Sequence, residues 1–299
     1  MKVIVTGGAG FVGTNLIKRL LKDGNEVVSL DNYSTGKKEN EQDGCKYIDV
    51  DISDSLRRHK GFGLEQYKLE KPDLIFHLGA LARIQPSLKK PASTITNNFM
   101  GTLNVLDYAR ENNIPVVYAG SSTFHHGLWG SPYAWSKHSG EQLCKLYSTI
   151  YGLPTAICRF YNVYGEHQLE DGAYATVVGI FQKLYREEKP LTVTGDGEQR
   201  RDFTHIEDIV DALIRLGWML ESNRSSKVSG QTFELGRGKN FSINELTEMF
   251  GETDVEYIPA RDGEYDYTLA DSSKAKELLG WNPTLDISDY ISEVIDDKS

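Results

Sequence analysis

Cysteine is scarce. Cys45, Cys144 and Cys158 are the only three in the chain, and their spacing matches no Cys-x-x-Cys metal or redox pattern. So sparse and odd a count argues against a disulfide framework and suits buried thiols in a reducing compartment. Long apolar runs are missing too, since none approaches the roughly 20 residues needed to span a bilayer. The opening stretch Met1–Val5 reaches Gly7 too soon for a signal peptide, so the expected location is the cytoplasm. Basic residues are outnumbered: 33 Lys and Arg stand against 43 Asp and Glu, giving a net charge of −10. That balance speaks against nucleic acid and anionic membrane as partners, because phosphate backbones are gripped by basic surfaces. A few arginines focused in one cleft can still hold a phosphorylated small molecule. The chain also lacks internal repeats and low-complexity linkers.

What remains is an ordinary soluble composition, 39% hydrophobic and 25% charged. At 299 residues it suits one large α/β domain with a smaller attached lobe. Short apolar strand candidates lie at Lys2–Thr6, Glu26–Asp31, Cys45–Asp49, Asp73–Leu78 and Val116–Ala119. Amphipathic stretches separate them; Phe11–Lys22 puts Phe11, Leu16, Ile17, Leu20 and Leu21 on one side. Such alternation predicts a parallel sheet with helices on both faces. It continues through a helix at Tyr133–Tyr151 and a strand at Thr155–Arg159, then breaks near residue 165. A first domain over 1–165 and a substrate lobe over 166–299 follow. A helix is expected at Ile206–Leu220, and part of 202–235 is expected to rejoin the first domain.

Thr6-Gly7-Gly8-Ala9-Gly10-Phe11-Val12-Gly13 follows a predicted strand and opens a predicted helix. Gly7 permits a tight turn, Gly10 lets the backbone approach a pyrophosphate, and Gly13 permits close helix packing. The helix N-terminus adds N–H donors and positive potential. A glycine run alone can be an empty turn. Here the second strand ends at Asp31, 18 positions after Gly13, where an acid meets the adenosine ribose hydroxyls. That carboxylate would repel a 2′-phosphate, so NAD is favoured over NADP.

Tyr133 and Lys137 stand four residues apart at the start of a predicted helix, behind Ser131-Pro132. Residues i and i+4 share a helix face. A free phenol titrates near pH 10 and is a poor base, but a nearby ammonium and a cationic nicotinamide favour its ionised form. By themselves the pair could be an aromatic and a lysine on one helix. However, Val116–Ala119 runs into Gly120-Ser121-Ser122-Thr123, at the strand edge where open α/β sheets bind ligands, and a hydroxyl there can meet a reacting oxygen.

Further segments fall in a consistent order. They are Asp31-Asn32-Tyr33-Ser34-Thr35-Gly36, Asp51-Ile52, His77-Leu78-Gly79-Ala80 and Asn97-Asn98-Phe99-Met100-Gly101-Thr102. Later come Arg159-Phe160-Tyr161-Asn162-Val163-Tyr164-Gly165, Arg200-Arg201-Asp202-Phe203 and Arg261-Asp262-Gly263-Glu264. Over nearly the whole chain these resemble the extended short-chain dehydrogenase/reductase superfamily, and within it the NAD-dependent sugar epimerases and dehydratases. The resemblance implies an α/β, Rossmann-type doubly wound parallel sheet with a smaller C-terminal α/β substrate lobe. It implies NAD held by Gly7, Gly10, Phe11, Val12, Gly13, Asp31, Asn32, Ser34, Thr35 and Gly36, with Asp51 and Ile52 at the adenine. Leu78, Gly79, Ala80 and Asn98, with Tyr133 and Lys137, belong to the nicotinamide half. Ser122, Tyr133 and Lys137 are the implied catalytic set. Asn162, Arg201, Arg261 and Glu264 are the implied contacts to a substrate nucleotide, with UDP favoured, and a homodimer through helices near Ser93–Glu111 and Tyr133–Tyr151 is implied as well.

The chain departs from that pattern at one place. Tyr133 follows Ser122 by only 11 positions, where relatives carry a longer loop. Thr123 is therefore an alternative to Ser122. His125 and His126 are either proton carriers or loop filler. The dehydratases place Asp-Glu directly after the hydroxyl residue, where this chain has Thr123-Phe124; the expected decarboxylase Glu and the reductase Cys are missing as well. The expected reaction is thus inversion at C4 of a nucleotide sugar through a 4-keto intermediate. The alternatives are a 4,6-dehydratase or decarboxylase drawing on these histidines, an epimerase of a uronic acid, or an NAD-binding protein without catalysis. Arg83, just past the fourth strand, either contacts the sugar or a substituent such as a carboxylate, or is a surface arginine. Thr268 stands where the relatives border the sugar 2-substituent, so N-acetylhexosamines are expected to enter, unless Tyr265 or Tyr267 fills that space.

Overall fold

The structure is a computed structural model that describes residues 1–54, 70–222, 227–261, 263 and 265–297. The apolar runs of the first half form β1 (Lys2–Thr6), β2 (Glu26–Asp31), β3 (Cys45–Asp49), β4 (Leu74–His77), β5 (Val116–Ser121) and β6 (Thr155–Phe160). Shorter strands follow: β7 (Val163–Tyr164), β8 (Leu191–Thr194), β9 (Arg200–Asp202), β10 (Thr204–His205), β11 (Thr232–Leu235), β12 (Asn240–Ser242) and β13 (Val255–Ile258). The helices of the first half are α1 (Phe11–Lys22), α2 (Ile84–Lys89), α3 (Pro91–Ile95), α4 (Gly101–Asn112) and α5 (Pro132–Tyr151). Those of the second half are α6 (Val177–Arg186), α7 (Ile206–Ser222), α8 (Ile243–Glu248), α9 (Ser273–Leu279) and α10 (Ile287–Asp296).

Among the described residues, seven strands build one parallel sheet in the order β3-β2-β1-β4-β5-β6-β11. The order reverses between β1 and β4, which opens a crevice at their C-terminal ends, the place where such sheets bind ligands. The ends of β1, β2, β3 and α1 fall where the apolar pattern puts them. β5 and β6 run farther than expected, because Gly120 and Ser121 keep pairing with Arg159 and Phe160. That extension carries Ser121 to the sheet edge.

Each face of the sheet has its own core. On one, Leu16, Ile17 and Leu20 of α1 meet Ile209, Leu213 and Leu216 of α7. On the other, Val105, Leu106 and Ala109 of α4 pack with Cys144 and Tyr147 of α5. A third cluster joins α6, α8 and α10 over β8 in the lobe. Two pieces of 202–235 lie with the sheet, as α7 covers it and β11 extends it beside β6. So does a piece that sequence patterning left in the lobe: Trp281 is fully buried in the first core, its indole N–H donating to Asp208 O at 2.9 Å. Cys144 and Cys158 are buried, Cys45 is half-buried, and all three are free.

Helix α5 is tied to the sheet by charge. Ser131 caps its start, accepting from Ala134 N at 3.1 Å, and Pro132 fills the first turn. Gly140 allows the close approach, since a Cβ there would sit 2.2 Å from the Tyr118 hydroxyl. Next to it, Glu141 receives Arg159 of β6 in a forked pair, with Nη2 2.7 Å and Nε 3.1 Å from its oxygens. The second guanidinium nitrogen stands 3.6 Å from Glu234 of β11. Side-chain exposure is 7% for Arg159 and 1% for Glu141. A buried charge that loses its partner is costly. Arg159→Ala is therefore expected to lower stability by about 3–5 kcal/mol, read as a fall in the urea midpoint at unchanged slope; a loss under 1 kcal/mol would show the pair to be dispensable.

Candidate active site

A cleft of about 860 Å³ runs from the glycine loop across the sheet edge to the lobe. At its first end, Gly7 has φ +72°, and a Cβ on Gly13 would fall 2.1 Å from Gly7 O, so the turn and the helix start fit only without side chains. Gly7, Gly10, Phe11, Val12 and Gly13 all line the cleft. Asp31 closes β2 beside them, its carboxylate accepting from Ala9 N at 2.9 Å and Tyr33 N at 2.8 Å. Asn32, Ser34, Thr35 and Ile52 continue the wall. These backbone donors, open glycines and terminal acid fit a dinucleotide. Gly36 and Asp51 stand behind that surface. Gly36 lies against Ala9, and Asp51 turns its oxygen to Ser53 N at 2.8 Å.

The floor continues through Leu78, Gly79 and Ala80. It is held from beneath by a chain of buried bonds. Gly79 N donates to Thr6 Oγ1 at 2.9 Å, which lies 2.7 Å from His77 Nδ1. His77 Nε2 is 3.0 Å from Thr102 Oγ1, whose hydroxyl donates to Asn98 O. Reading the donors in order assigns the proton of His77 to Nε2. Burial, with the Lys137 charge, pushes His77 down to about 3, so it is neutral. Asn98 does not reach the cleft. It sits in a π-helical turn, Thr96–Met100, between α3 and α4. There it brackets Leu81, accepting from its N at 2.8 Å and donating to its O at 3.0 Å.

Tyr133 reaches the middle of the cleft from the first turn of α5. Burial raises its phenol pKa; a bond from Ser121 and the charge of Arg83 pull it back without reversing the shift. Ser121 Oγ also accepts from Thr123 Oγ1 at 3.0 Å. All three hydroxyls of 121–123 line the cleft, Ser122 among them, but the one bonded to Tyr133 is Ser121. Lys137 stands behind, buried, its ammonium 4.5 Å from the Tyr118 ring centre. Burial lowers it to about 8, against the pull of Glu141. The cation whose field reaches the phenol is thus Arg83, which lies half-buried in the cleft wall.

Asn162, just past β6, joins Arg201, Arg261 and Thr268 of the lobe in the cleft wall; Glu264 lies outside the described residues. Asn162, at φ +29°, donates to Asp202 O and to Thr268 Oγ1, which also accepts from Asp202 N at 3.1 Å. The Thr268 hydroxyl oxygen thus takes two donors of the scaffold. Tyr265 lines the cleft beside it, whereas Tyr267 is 59% exposed. The Tyr265 hydroxyl is buried with no hydrogen-bond partner among the described residues. Its ring stacks on His126 at 3.7 Å. His125 bonds Glu234, which also accepts from Tyr161 at 2.8 Å. Neither histidine lines the cleft, and their contacts tie the short loop to Glu234 and Tyr265.

Residues 3–236 match the family described as NAD dependent epimerase/dehydratase. A putative UDP-glucose 4-epimerase of Methanocaldococcus jannaschii is 31% identical over 98% of this chain and 97% of its own. The crystal structure of UDP-glucose 4-epimerase from Thermotoga maritima with UDP-glucose superposes with a TM-score of 0.88 at 27% identity, covering 99% of this chain and 98% of that one. UDP-glucuronic acid 4-epimerase from Bacillus cereus, solved with UDP-glucuronic acid and NAD, gives 0.84 at 29% identity, covering 100% and 99%.

The neutral, buried His77 links stability to pH. Its ordinary value of 6.5 applies to the unfolded chain, against about 3 in the fold. Above pH 6.5 both forms are neutral there. Below it the unfolded chain takes up a proton that the folded one refuses, so stability falls by about 1.4 kcal/mol per pH unit. Between pH 6.5 and 5 the unfolding free energy of the wild type should drop about 2 kcal/mol more than that of His77→Asn. Parallel pH curves would refute the assignment.

Proposed function

The chain belongs to the NAD-dependent epimerase/dehydratase family, and on that premise we propose that it inverts C4 of a UDP-activated sugar through a 4-keto intermediate. The observation that carries this reading is the placement of Tyr133. A half-buried phenol, bonded to a serine and facing a cation, stands between a dinucleotide cradle and two arginines of the lobe. When bound, NAD supplies the hydride acceptor and donor for C4.

The protein's own groups do the rest. Tyr133 takes the proton of the sugar 4-hydroxyl and returns it at the end. Ser122, with Ser121 at its side, meets the same oxygen. Lys137 keeps positive charge under the site, and the potential of a bound cationic ring adds to it, so that the raised phenol value comes down on loading. Arg201 and Arg261 hold the pyrophosphate, aided by Asn162, because guanidinium matches phosphate oxygens in pairs. Glu264 meets the nucleotide ribose. Thr268 and Tyr265 together bound the sugar, with room beside the threonine for a 2-substituent. Asp31 selects NAD over NADP. Asn98 acts through Leu81, and Asp51 and Gly36 through their loops. The free thiols fit a cytoplasmic enzyme.

We further propose a homodimer through α4 and α5. Leu146 and Ile150, one turn apart on α5, are 50% and 64% exposed beside Tyr151, a patch of the sort that helix pairing covers. Replacing both by Glu should halve the mass seen by light scattering; an unchanged mass would place the interface elsewhere. For the chemistry, Tyr133→Phe is expected to cut kcat by at least 1,000-fold while NAD stays bound through purification, on the scale of a lost acid–base group. Activity within a few-fold of wild type would remove Tyr133 from the reaction.

A further inference from the structure

Arg83 is placed at a cost. It stands at the N-terminal cap of α2, six residues past β4, with φ +86° and ψ +141°, a region that residues bearing a Cβ avoid. A residue persists in such a backbone when its surroundings or its task fix it. One edge of its guanidinium is already used, as Nε donates to Tyr174 O at 3.1 Å. That bond orients the fork and leaves the terminal N–H groups for another acceptor. No carboxylate pairs with Arg83 among the described residues. Among the described residues that line the cleft, Asp31 is the one acid, and it belongs to the ribose end. A half-buried guanidinium without a counter-ion calls for an anion from outside.

The position of Arg83 narrows which anion. The pyrophosphate already has Arg201 and Arg261, which reach in from the lobe. Arg83 comes from the opposite wall, at the exit of β4, where its charge is felt by the Tyr133 phenol. With O4 of the sugar at that phenol, the ring substituents beside it are the hydroxyl on C3 and the group on C5, and of the two only the C5 group, when it is a carboxylate, carries charge. A neutral hydroxymethyl group there would leave the guanidinium unpaired, whereas a carboxylate matches its fork. Resting on the C4 epimerase reading above, we propose that the sugar is a uronic acid and that Arg83 binds its carboxylate.

The test uses the full chain loaded with NAD and compares kcat/KM for UDP-glucuronate and UDP-glucose. The acid should be preferred at least tenfold. In Arg83→Gln the acid-to-hexose ratio should fall at least tenfold, and Arg83→Lys should retain part of it. Taking the ratio cancels the effect of Arg83 on the phenol, which both sugars share. A preference for glucose, or an unchanged ratio in Arg83→Gln, overturns the proposal. If neither sugar is epimerised, the C4 reading itself has failed, and calorimetry decides the subsite separately. Tighter binding of UDP-glucuronate than of UDP-glucose by the NAD-loaded protein, lost in Arg83→Gln, supports the carboxylate contact; equal binding overturns it.

Discussion

The ion pair of Arg159 with Glu141 fixes where helix α5 lies, and with it the phenol that α5 carries. A guanidinium taken out of water must find charge and hydrogen bonds in good geometry. Arg159 finds them on two elements at once: Glu141 on α5 and Glu234 on β11. The Phe124 ring covers its face at 3.3 Å. Glu141 also lies one turn beyond Lys137 on the buried side of α5, where its charge holds the ammonium up against burial. One carboxylate thereby both secures the helix and keeps the lysine beneath the phenol charged. From Glu234 the network reaches His125, Tyr161 and Asp271 N, which ties the short loop and the C-terminal segment to the same centre.

The two sides of the cleft are built by different means. The dinucleotide side is backbone held by backbone, with glycines in contact and a few buried side chains such as Asn98 and His77 pinning the strand exits. The lobe side hangs on a carboxylate. Asp202, fully buried, accepts from Arg237 N, Gly238 N and Ala270 N at 2.9–3.0 Å. Those bonds hold the chain on which Arg201 and Thr268 are presented. A rigid cradle facing a surface drawn together from distant segments suits a fixed cofactor and a variable sugar.

The parts of the site that are legible in the sequence are those with a local period. The glycine spacing, the acid at the end of β2, and Tyr133 with Lys137 on one helix face are set within a few residues of each other. So is the sheet, whose strands alternate with amphipathic helices. Motif likeness alone does not say whether Gly36, Asp51 and Asn98 touch the ligand or hold the residues that do. The choice among Ser121, Ser122 and Thr123 depends on how far β5 runs, and that depends on its pairing with β6. Contacts such as His125 with Glu234, His126 with Tyr265, and Trp281 with Asp208 join residues far apart in the chain. They leave no periodic trace.

The late arrival of β11 matters for how a ribosome makes this protein. β6 is translated well before the strand that covers its edge, with the lobe segment and α7 in between. At the usual pace of about 5–20 residues per second, the delay is on the order of seconds. Throughout it the nascent chain carries a bare parallel edge, and beside that edge Arg159 has only one of its two carboxylates. Newly made sheet is thus at its stickiest just when α5 is already present, and release from that state comes with Glu234 and not with the end of the sheet's own first half.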